Sequence, residues 1–138
     1  MAEAPSNGQD AKADGVFTIL VADDDDAIRA LTAGVLRIQG YNVLQAADGV
    51  EALKVAAQHS GPIHLLLTDV SMPRLDGWGL HRRMNGDRPG MTTLFMSGSL
   101  DQKQHQQAAF LPKPFTVSAL IHKVTEALNF SAGSFASE

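Results

Sequence analysis

A regular alternation of two patterns constrains the fold of this chain more than any other feature. Short, nearly continuous apolar runs alternate with segments whose apolar residues recur every three or four positions. Residues 16–22 form the first run, and the stripe that follows lies within residues 28–38. Such a run is typical of a strand buried on both faces, and such a stripe of an amphipathic helix. The alternation predicts an α/β fold, a doubly wound parallel sheet built from βαβ units.

Five strands are predicted by this pattern, at residues 16–22, 42–46, 64–68, 93–96 and 109–111. Gly40 ends the first helix, residues 49–58 form the second, and Thr116 caps the last one. The first fifteen residues contain almost nothing large to bury, and the end of the chain is similar apart from Phe130 and Phe135. We therefore predict a flexible leader at 1–15, one domain at 16–129 and a flexible tail at 130–138.

Composition narrows the possible functions. The 138 residues suffice for one domain, and a formal net charge of −4 gives no reason to expect direct binding to nucleic acid or to an anionic membrane. Because the chain has no cysteine, disulfides, thiolate metal sites and thiol catalysis are excluded. The apolar runs are too short to cross a bilayer, and no signal peptide is apparent, so we predict a cytoplasmic location.

Polar residues stand where the predicted strands end. Asp23 and Asp24 end the first strand, Asp69 the third, Ser97 the fourth and Lys113 the fifth. Ligands of open parallel sheets bind outside the carboxyl ends of the strands, so these side chains are expected to converge. Carboxylates from two strand ends suit Mg²⁺, which prefers a few carboxylates together with water and phosphate oxygens.

The same residues indicate phosphoryl chemistry. A carboxylate such as that of Asp69 can act as a nucleophile toward phosphorus and form an aspartyl phosphate. Mg²⁺ offsets the repulsion from neighbouring carboxylates and polarises a phosphoryl oxygen. Lys113 adds a fixed positive charge, and Ser97 offers a hydroxyl donor to a phosphoryl oxygen.

Three motifs in order resemble a known family. They are ILVADDD at 19–25, LTDVSMP at 67–73 with DG at 76–77, and LPKPF at 111–115. Together they resemble the receiver domains of two-component response regulators over roughly residues 17–128. The resemblance implies a (βα)5 flavodoxin-like fold with strand order 2-1-3-4-5. It also implies a signalling module, rather than an enzyme, that is phosphorylated by a histidine kinase or a histidine phosphotransfer protein and signals to a downstream protein target.

The resemblance also implies a role for each site residue. Asp69 is the phosphoacceptor and Lys113 its basic partner. Asp23, Asp24 and Asp69 are the acidic metal ligands, and the backbone carbonyl of Ser71 completes the Mg²⁺ site.

A conformational switch is implied at two further positions. Ser97 is the switch hydroxyl, and Phe110, three positions before Lys113, is the switch aromatic that follows it inward. Because phenylalanine lacks the hydroxyl of tyrosine, we expect a bias toward the inward state. Only 16 positions separate Ser97 from Lys113, about six fewer than the family pattern and equal to about one and a half helical turns. A shortened or missing fourth helix is therefore expected.

Simpler readings stay open for several of these residues. The acid run 23–26 is also compatible with a solvated turn that caps a helix, with Asp26 as the N-cap. Lys113 and Ser97 are also compatible with ordinary turn residues, and Phe110 with plain core. A haloacid-dehalogenase-type phosphatase and a receiver-like module that only binds partners are the alternative functions. The first wants an acid two residues after the nucleophile, where this chain has Ser71.

Overall fold

The computed structural model describes residues 16–98 and 108–136, with side chains described as far as residue 129. Five parallel strands alternate with four helices in this part of the chain. The strands are β1 (Thr18–Ala22), β2 (Asn42–Ala46), β3 (Leu65–Asp69), β4 (Thr92–Ser97) and β5 (Ala109–Pro112). The helices are α1 (Asp26–Ile38), α2 (Gly49–Gln58), α3 (Gly77–Asp87) and α4 (Val117–Ala136).

The sheet has the order β2-β1-β3-β4-β5, and the predicted α/β doubly wound fold is confirmed. Strand β1 lies in the interior of the sheet, since Ile19 pairs with Val43 on one side and with Leu65 on the other. Every residue of β1 is buried because helices cover both faces of the sheet. The same burial explains why its sequence is a continuous apolar run rather than an alternating one.

Two apolar clusters fill the space between the sheet and its helices. One lies beneath α1 and α4 and contains Val21, Leu67 and Val124. The other lies beneath α2 and α3 and contains Leu66 and Leu80. Adjacent strand residues such as Leu66 and Leu67 point to opposite faces, so β1, β2 and β3 each contribute to both clusters. This double packing holds the carboxyl ends of the strands in fixed positions.

Two predictions concern segments outside this core. The shortened or missing fourth helix falls on the interval between β4 and β5, where residues 99–107 lie outside the described residues. The tail was predicted to begin at residue 130, whereas α4 continues to Ala136. The segment 130–136 contains no proline and one glycine, so nothing in it forces a helix to end. The division of the chain into leader, domain and tail stays a prediction.

Candidate functional site

Asp23 is the most constrained residue at the carboxyl edge of the sheet. Its side chain is fully buried, and one carboxylate oxygen accepts a hydrogen bond from the backbone N–H of Asp25 at 2.9 Å. Its own backbone N–H donates to the carbonyl of Ala46 at 3.1 Å. Nη1 of Arg29 donates to the backbone carbonyl oxygen of Asp23 at 2.8 Å. These bonds orient the Asp23 carboxylate toward the strand ends.

Asp23, Asp24 and Asp69 come together as the strand ends predict. Each offers a carboxylate oxygen that lies within 4.8 Å of the others, and we call these three residues the acid cluster. Asp23 is buried, Asp69 is half-buried and Asp24 is exposed. Hard oxygen donors with one open side fit Mg²⁺, which retains several waters and phosphate oxygens in its coordination shell.

Lys113 lies between two members of the acid cluster. Its Nζ donates to Asp23 at 3.0 Å and to Asp69 at 3.2 Å. The backbone N–H of Lys113 donates to the carbonyl of Ser97 at 2.9 Å, and the Lys113–Pro114 peptide bond is cis. Burial by itself lowers the pKa of Lys113, but its bonds to Asp23 and Asp69 outweigh burial and raise that pKa above its usual value. Lys113 is therefore a positive charge at the pH of the cell.

For the Asp69 carboxyl, in contrast to Lys113, burial has a larger effect on the pKa than the bonds to neighbouring groups. Burial raises its pKa, and the Asp23 charge acts in the same direction. The Lys113 ammonium and the backbone N–H of Ser71 oppose the rise without cancelling it. The acid cluster therefore contains three carboxyl groups beside the single ammonium of Lys113, which bonds to two of them. An added cation would neutralise the remaining negative charge.

The other predicted residues are Ser97, Phe110 and Ser71, and they differ in how close they lie to the carboxyl ends of the strands. Ser97 ends β4, one residue after Met96, which pairs with Asp69 across the sheet. Phe110 lies in β5 and is only 4% exposed, as a ring in the inward state would be. Ser71 is exposed in the loop after Asp69. The metal role of its carbonyl and the switch roles of Ser97 and Phe110 stay predictions.

The helix cap differs from the expected one. Asp25, not Asp26, is the N-cap of α1, since its carboxylate accepts from the backbone N–H of Ala27 and of Ile28 at 3.0 Å. Asp26 is already in the first turn and pairs with Arg29 at 2.8 Å. The predicted Thr116 cap of α4 is confirmed by the bond from the N–H of Ala119 at 3.0 Å.

Two supporting residues had no clear signal in the sequence analysis. Arg29 reaches back to the carbonyl of Asp23, a contact that α-helical spacing does not reveal. Gly77 abuts the end of β3: a Cβ added there would overlap the carbonyl oxygen of Asp69. In the sequence, Gly77 stood out only as part of the DG motif at 76–77.

Comparison with known proteins decides the family. The family model described as "Response regulator receiver domain" matches residues 19–125. The chain belongs to this family. Its members act as phosphoacceptor signalling modules in two-component systems, and that is the function of this domain. The match runs from the second residue of β1 through β5 and the first nine residues of α4.

Individual relatives agree with this receiver-domain assignment. The sensor kinase CckA of Brucella abortus is 34% identical over 120 residues, which cover 83% of this chain and 13% of that protein. The response regulator MprA of Mycobacterium tuberculosis is 36% identical over 113 residues, covering 77% of this chain and 48% of MprA. The chain thus spans about half, or much less, of the curated relatives it matches.

A solved receiver domain has the same fold. The crystal structure of the receiver domain from the hybrid histidine kinase CckA is 40% identical, with a TM-score of 0.71. The alignment covers 80% of this chain and 98% of that domain.

Among the residues that the structure describes, no helix is both long enough and apolar enough to span a membrane.

Proposed function

We propose that Asp69 is the phosphoacceptor of this receiver domain and that the acid cluster binds Mg²⁺. One observation carries the proposal: a single ammonium, that of Lys113, bridges the half-buried Asp69 and the buried Asp23, while Asp24 lies exposed beside them. This arrangement leaves an oxygen of the nucleophile accessible and places a positive charge next to it. Both features are needed for a carboxylate to attack phosphorus.

The chain's own groups divide the work of phosphoryl transfer. A carboxylate oxygen of Asp69 attacks the phosphorus of a phosphohistidine, and the P–N bond to the imidazole breaks as the O–P bond forms. Lys113, held by Asp23, keeps its ammonium where a phosphoryl oxygen arrives. Ser97, at the end of the neighbouring strand, donates its hydroxyl to another phosphoryl oxygen.

The metal would be held by Asp23, Asp24, Asp69 and the backbone carbonyl of Ser71. When bound, Mg²⁺ supplies charge neutralisation and polarisation of the phosphoryl group. The acid cluster contains only hard oxygen donors, which is the donor set this ion prefers.

We infer partners from this chemistry. A histidine kinase or a histidine phosphotransfer protein supplies the phosphoryl group, and a downstream protein reads the altered surface. Relatives of both types, a sensor kinase and a response regulator, support the inference. We propose no direct role in binding nucleic acid or membranes, and a cytoplasmic location stays a prediction.

The enzyme alternative receives less support. A haloacid-dehalogenase-type phosphatase needs a second acid two residues after its nucleophile, and Ser71 occupies that position. A receiver-like module that only binds partners does not need an ammonium beside a nucleophilic carboxylate, so this alternative does not explain why Lys113 bridges Asp23 and Asp69. We therefore propose a signalling module that does not turn over phosphomonoesters.

Beryllofluoride, a phosphoryl mimic, tests the proposal. Amide NMR spectra of the wild type with Mg²⁺ and beryllofluoride are expected to show shifts centred on Asp69 and Ser97, and Asp69→Asn is expected to show none. Asp26→Asn, a change in the same acid run outside the cluster, is the matched control and is expected to respond like the wild type. If the wild type does not respond, or if Asp69→Asn responds equally, the proposal is wrong.

A further inference from the structure

Three aromatic rings lie together over β4 and β5. The centroid of Trp78, from the first turn of α3, is 4.3 Å from that of Phe95 and 5.9 Å from that of Phe110. Phe95 and Phe110 pair directly across the sheet, with centroids 5.5 Å apart. We call Trp78, Phe95 and Phe110 the aromatic triad. Its geometries are tilted or edge-on, which are the favourable ones for aromatic pairs.

The two strand residues of the triad differ in how they are held. Phe95 is 1% exposed and also has an edge contact with His81, whose ring is fixed by a 2.8 Å bond between its Nδ1 and the hydroxyl of Thr93. Phe110 is 4% exposed and belongs to the last strand of the sheet. The Trp78 indole contacts both rings, so it links the ring on β5 to the ring on β4.

Trp78 is also tied to the phosphoacceptor strand. Its neighbour Gly77 donates its backbone N–H to the carbonyl of Val70 at 2.8 Å. A Cβ on Gly77 would overlap the carbonyl oxygen of Asp69, so the backbones of the two residues are in close contact with no space between them. Packed contacts of this kind transmit displacements rather than absorb them. A movement of the backbone at Asp69 must therefore move Gly77, and Trp78 with it.

We propose that Trp78 is a positioning residue of the switch, which holds the ring of Phe110 inward and couples its position to Asp69. The proposal rests on the proposed function, in which Asp69 is the phosphoacceptor, and on the role of switch aromatic that the family resemblance implies for Phe110. Contact with Trp78 favours the inward position of the Phe110 ring, which is the packing that the switch role of Phe110 associates with the phosphorylated domain. By linkage, a residue that favours this packing also strengthens binding of a phosphoryl mimic.

The test compares Trp78→Leu with two matched variants. Trp78→Phe retains an aromatic ring at the position, and Leu80→Ala removes a buried side chain from the same helix but from the apolar cluster beneath α2 and α3. The readouts are ¹³C NMR of labelled phenylalanine rings and the affinity for beryllofluoride in saturating Mg²⁺. The chain has six phenylalanines, so a Phe110→Leu spectrum assigns the ring signals of Phe110.

In the free protein, Trp78→Leu is expected to broaden or displace the Phe110 ring signals, and Trp78→Phe and Leu80→Ala are expected to leave them near the wild-type positions. Trp78→Leu is expected to weaken beryllofluoride binding by about fivefold or more, with Trp78→Phe restoring most of the loss. Wild-type ring signals and affinity in Trp78→Leu, or an equal loss in Leu80→Ala, would overturn the proposal.

Failure of the proposed function is distinguishable from failure of this inference. If the wild type binds no beryllofluoride, the phosphoacceptor assignment fails. The ring spectra of the free proteins still decide whether Trp78 positions Phe110: displaced signals in Trp78→Leu support the positioning role, and unchanged signals contradict it. If Trp78→Leu does not fold, Trp78→Met, which also removes the aromatic ring, takes its place with the same expected and contradicting results.

Discussion

Asp24 is the exposed member of the acid cluster, and its charge lies within 4.8 Å of two other carboxylates. In Mg²⁺-free buffer this repulsion destabilises the fold. We expect Asp24→Asn to raise the free energy of unfolding by roughly 0.5–1 kcal/mol, the size of one such interaction in water. Urea denaturation measures the change.

The same variant is expected to lose most of the stabilisation that Mg²⁺ gives the wild type, because a ligand stabilises only in proportion to its affinity for the folded state. Asp26→Asn alters an exposed carboxylate in the first turn of α1 and is the control. An equal Mg²⁺ response in Asp24→Asn and the wild type would contradict a metal role for Asp24.

Two threonines that are fully buried offer a matched pair. The hydroxyl of Thr32 has no hydrogen-bond partner among the described residues, whereas that of Thr68 donates to the carbonyl of Asp69 at 2.9 Å. A buried hydroxyl without a partner retains its desolvation cost. We expect Thr32→Val to raise the free energy of unfolding by roughly 1 kcal/mol and Thr68→Val to lower it by a similar amount. Equal effects in urea denaturation would contradict this account.

Sequence analysis located the acid cluster because parallel strands end at one edge, so residues that end strands must meet there. It misplaced the helix cap because four consecutive aspartates are chemically identical. The extended backbone of Asp25 selects the cap, and that conformation depends on how the chain leaves β1. The reach of Arg29 to the carbonyl of Asp23 depends equally on tertiary geometry.

At the scale of elements, Arg88 closes the carboxyl end of α2. Its guanidinium donates to the carbonyls of Ala56 at 3.0 Å, His59 at 3.1 Å and Gly61 at 3.0 Å. Helix ends leave carbonyls without partners, and a charged donor satisfies them strongly. We expect Arg88→Ala to lower the free energy of unfolding by about 2 kcal/mol.

Arg83 is the control for this prediction, because it lies exposed on α3, the helix that ends one residue before Arg88. Arg83→Ala is expected to change the free energy of unfolding by less than about 0.5 kcal/mol. Comparable losses in the two variants would mean that the carbonyl contacts of Arg88 contribute little.

His64 joins the start of β3 to β1. Its Nδ1 accepts the backbone N–H of Thr18 at 2.9 Å, which requires an unprotonated nitrogen. Burial lowers the pKa of His64 below its ordinary value of 6.5. The unfolded chain therefore binds the proton more tightly, and the stability that neutral His64 contributes is complete above about pH 6.5 and is lost as the pH falls below it.

His64→Asn retains an acceptor near the same place but cannot titrate in this range. We expect the free energy of unfolding of the wild type to fall more steeply between pH 7.5 and 5.5 than that of His64→Asn, in urea titrations at several pH values. Parallel pH profiles would contradict the assignment of this dependence to His64.

The helix α4 extends beyond the last residue of its predicted apolar stripe, Leu128. Residues 130–136 are Ser, Ala and Gly apart from Phe130 and Phe135, and the helix continues through them to Ala136, while the flexible tail stays a prediction. A helix already begun adds a further turn at little cost, since nucleation is the expensive step. Residues that lack a strong breaker can therefore extend it.

At the scale of the whole molecule, the fold was predictable because burial on both faces of the sheet leaves continuous apolar runs such as Leu65–Leu67. The strand order could not be read from those runs and came from the family resemblance. The interval between Ser97 and Lys113 departs from the family pattern, and its conformation was not predictable from its polar composition.

The central claim is that Asp69 carries the phosphoryl group. Its most direct test is to incubate the protein with Mg²⁺ and acetyl phosphate, reduce the acyl phosphate with borohydride, and map the reduced residue by peptide mass spectrometry. We expect reduction at Asp69 in the wild type, none in Asp69→Asn, and none when Mg²⁺ is chelated. Modification at another carboxylate in the wild type, or no modification under these conditions, would contradict the claim.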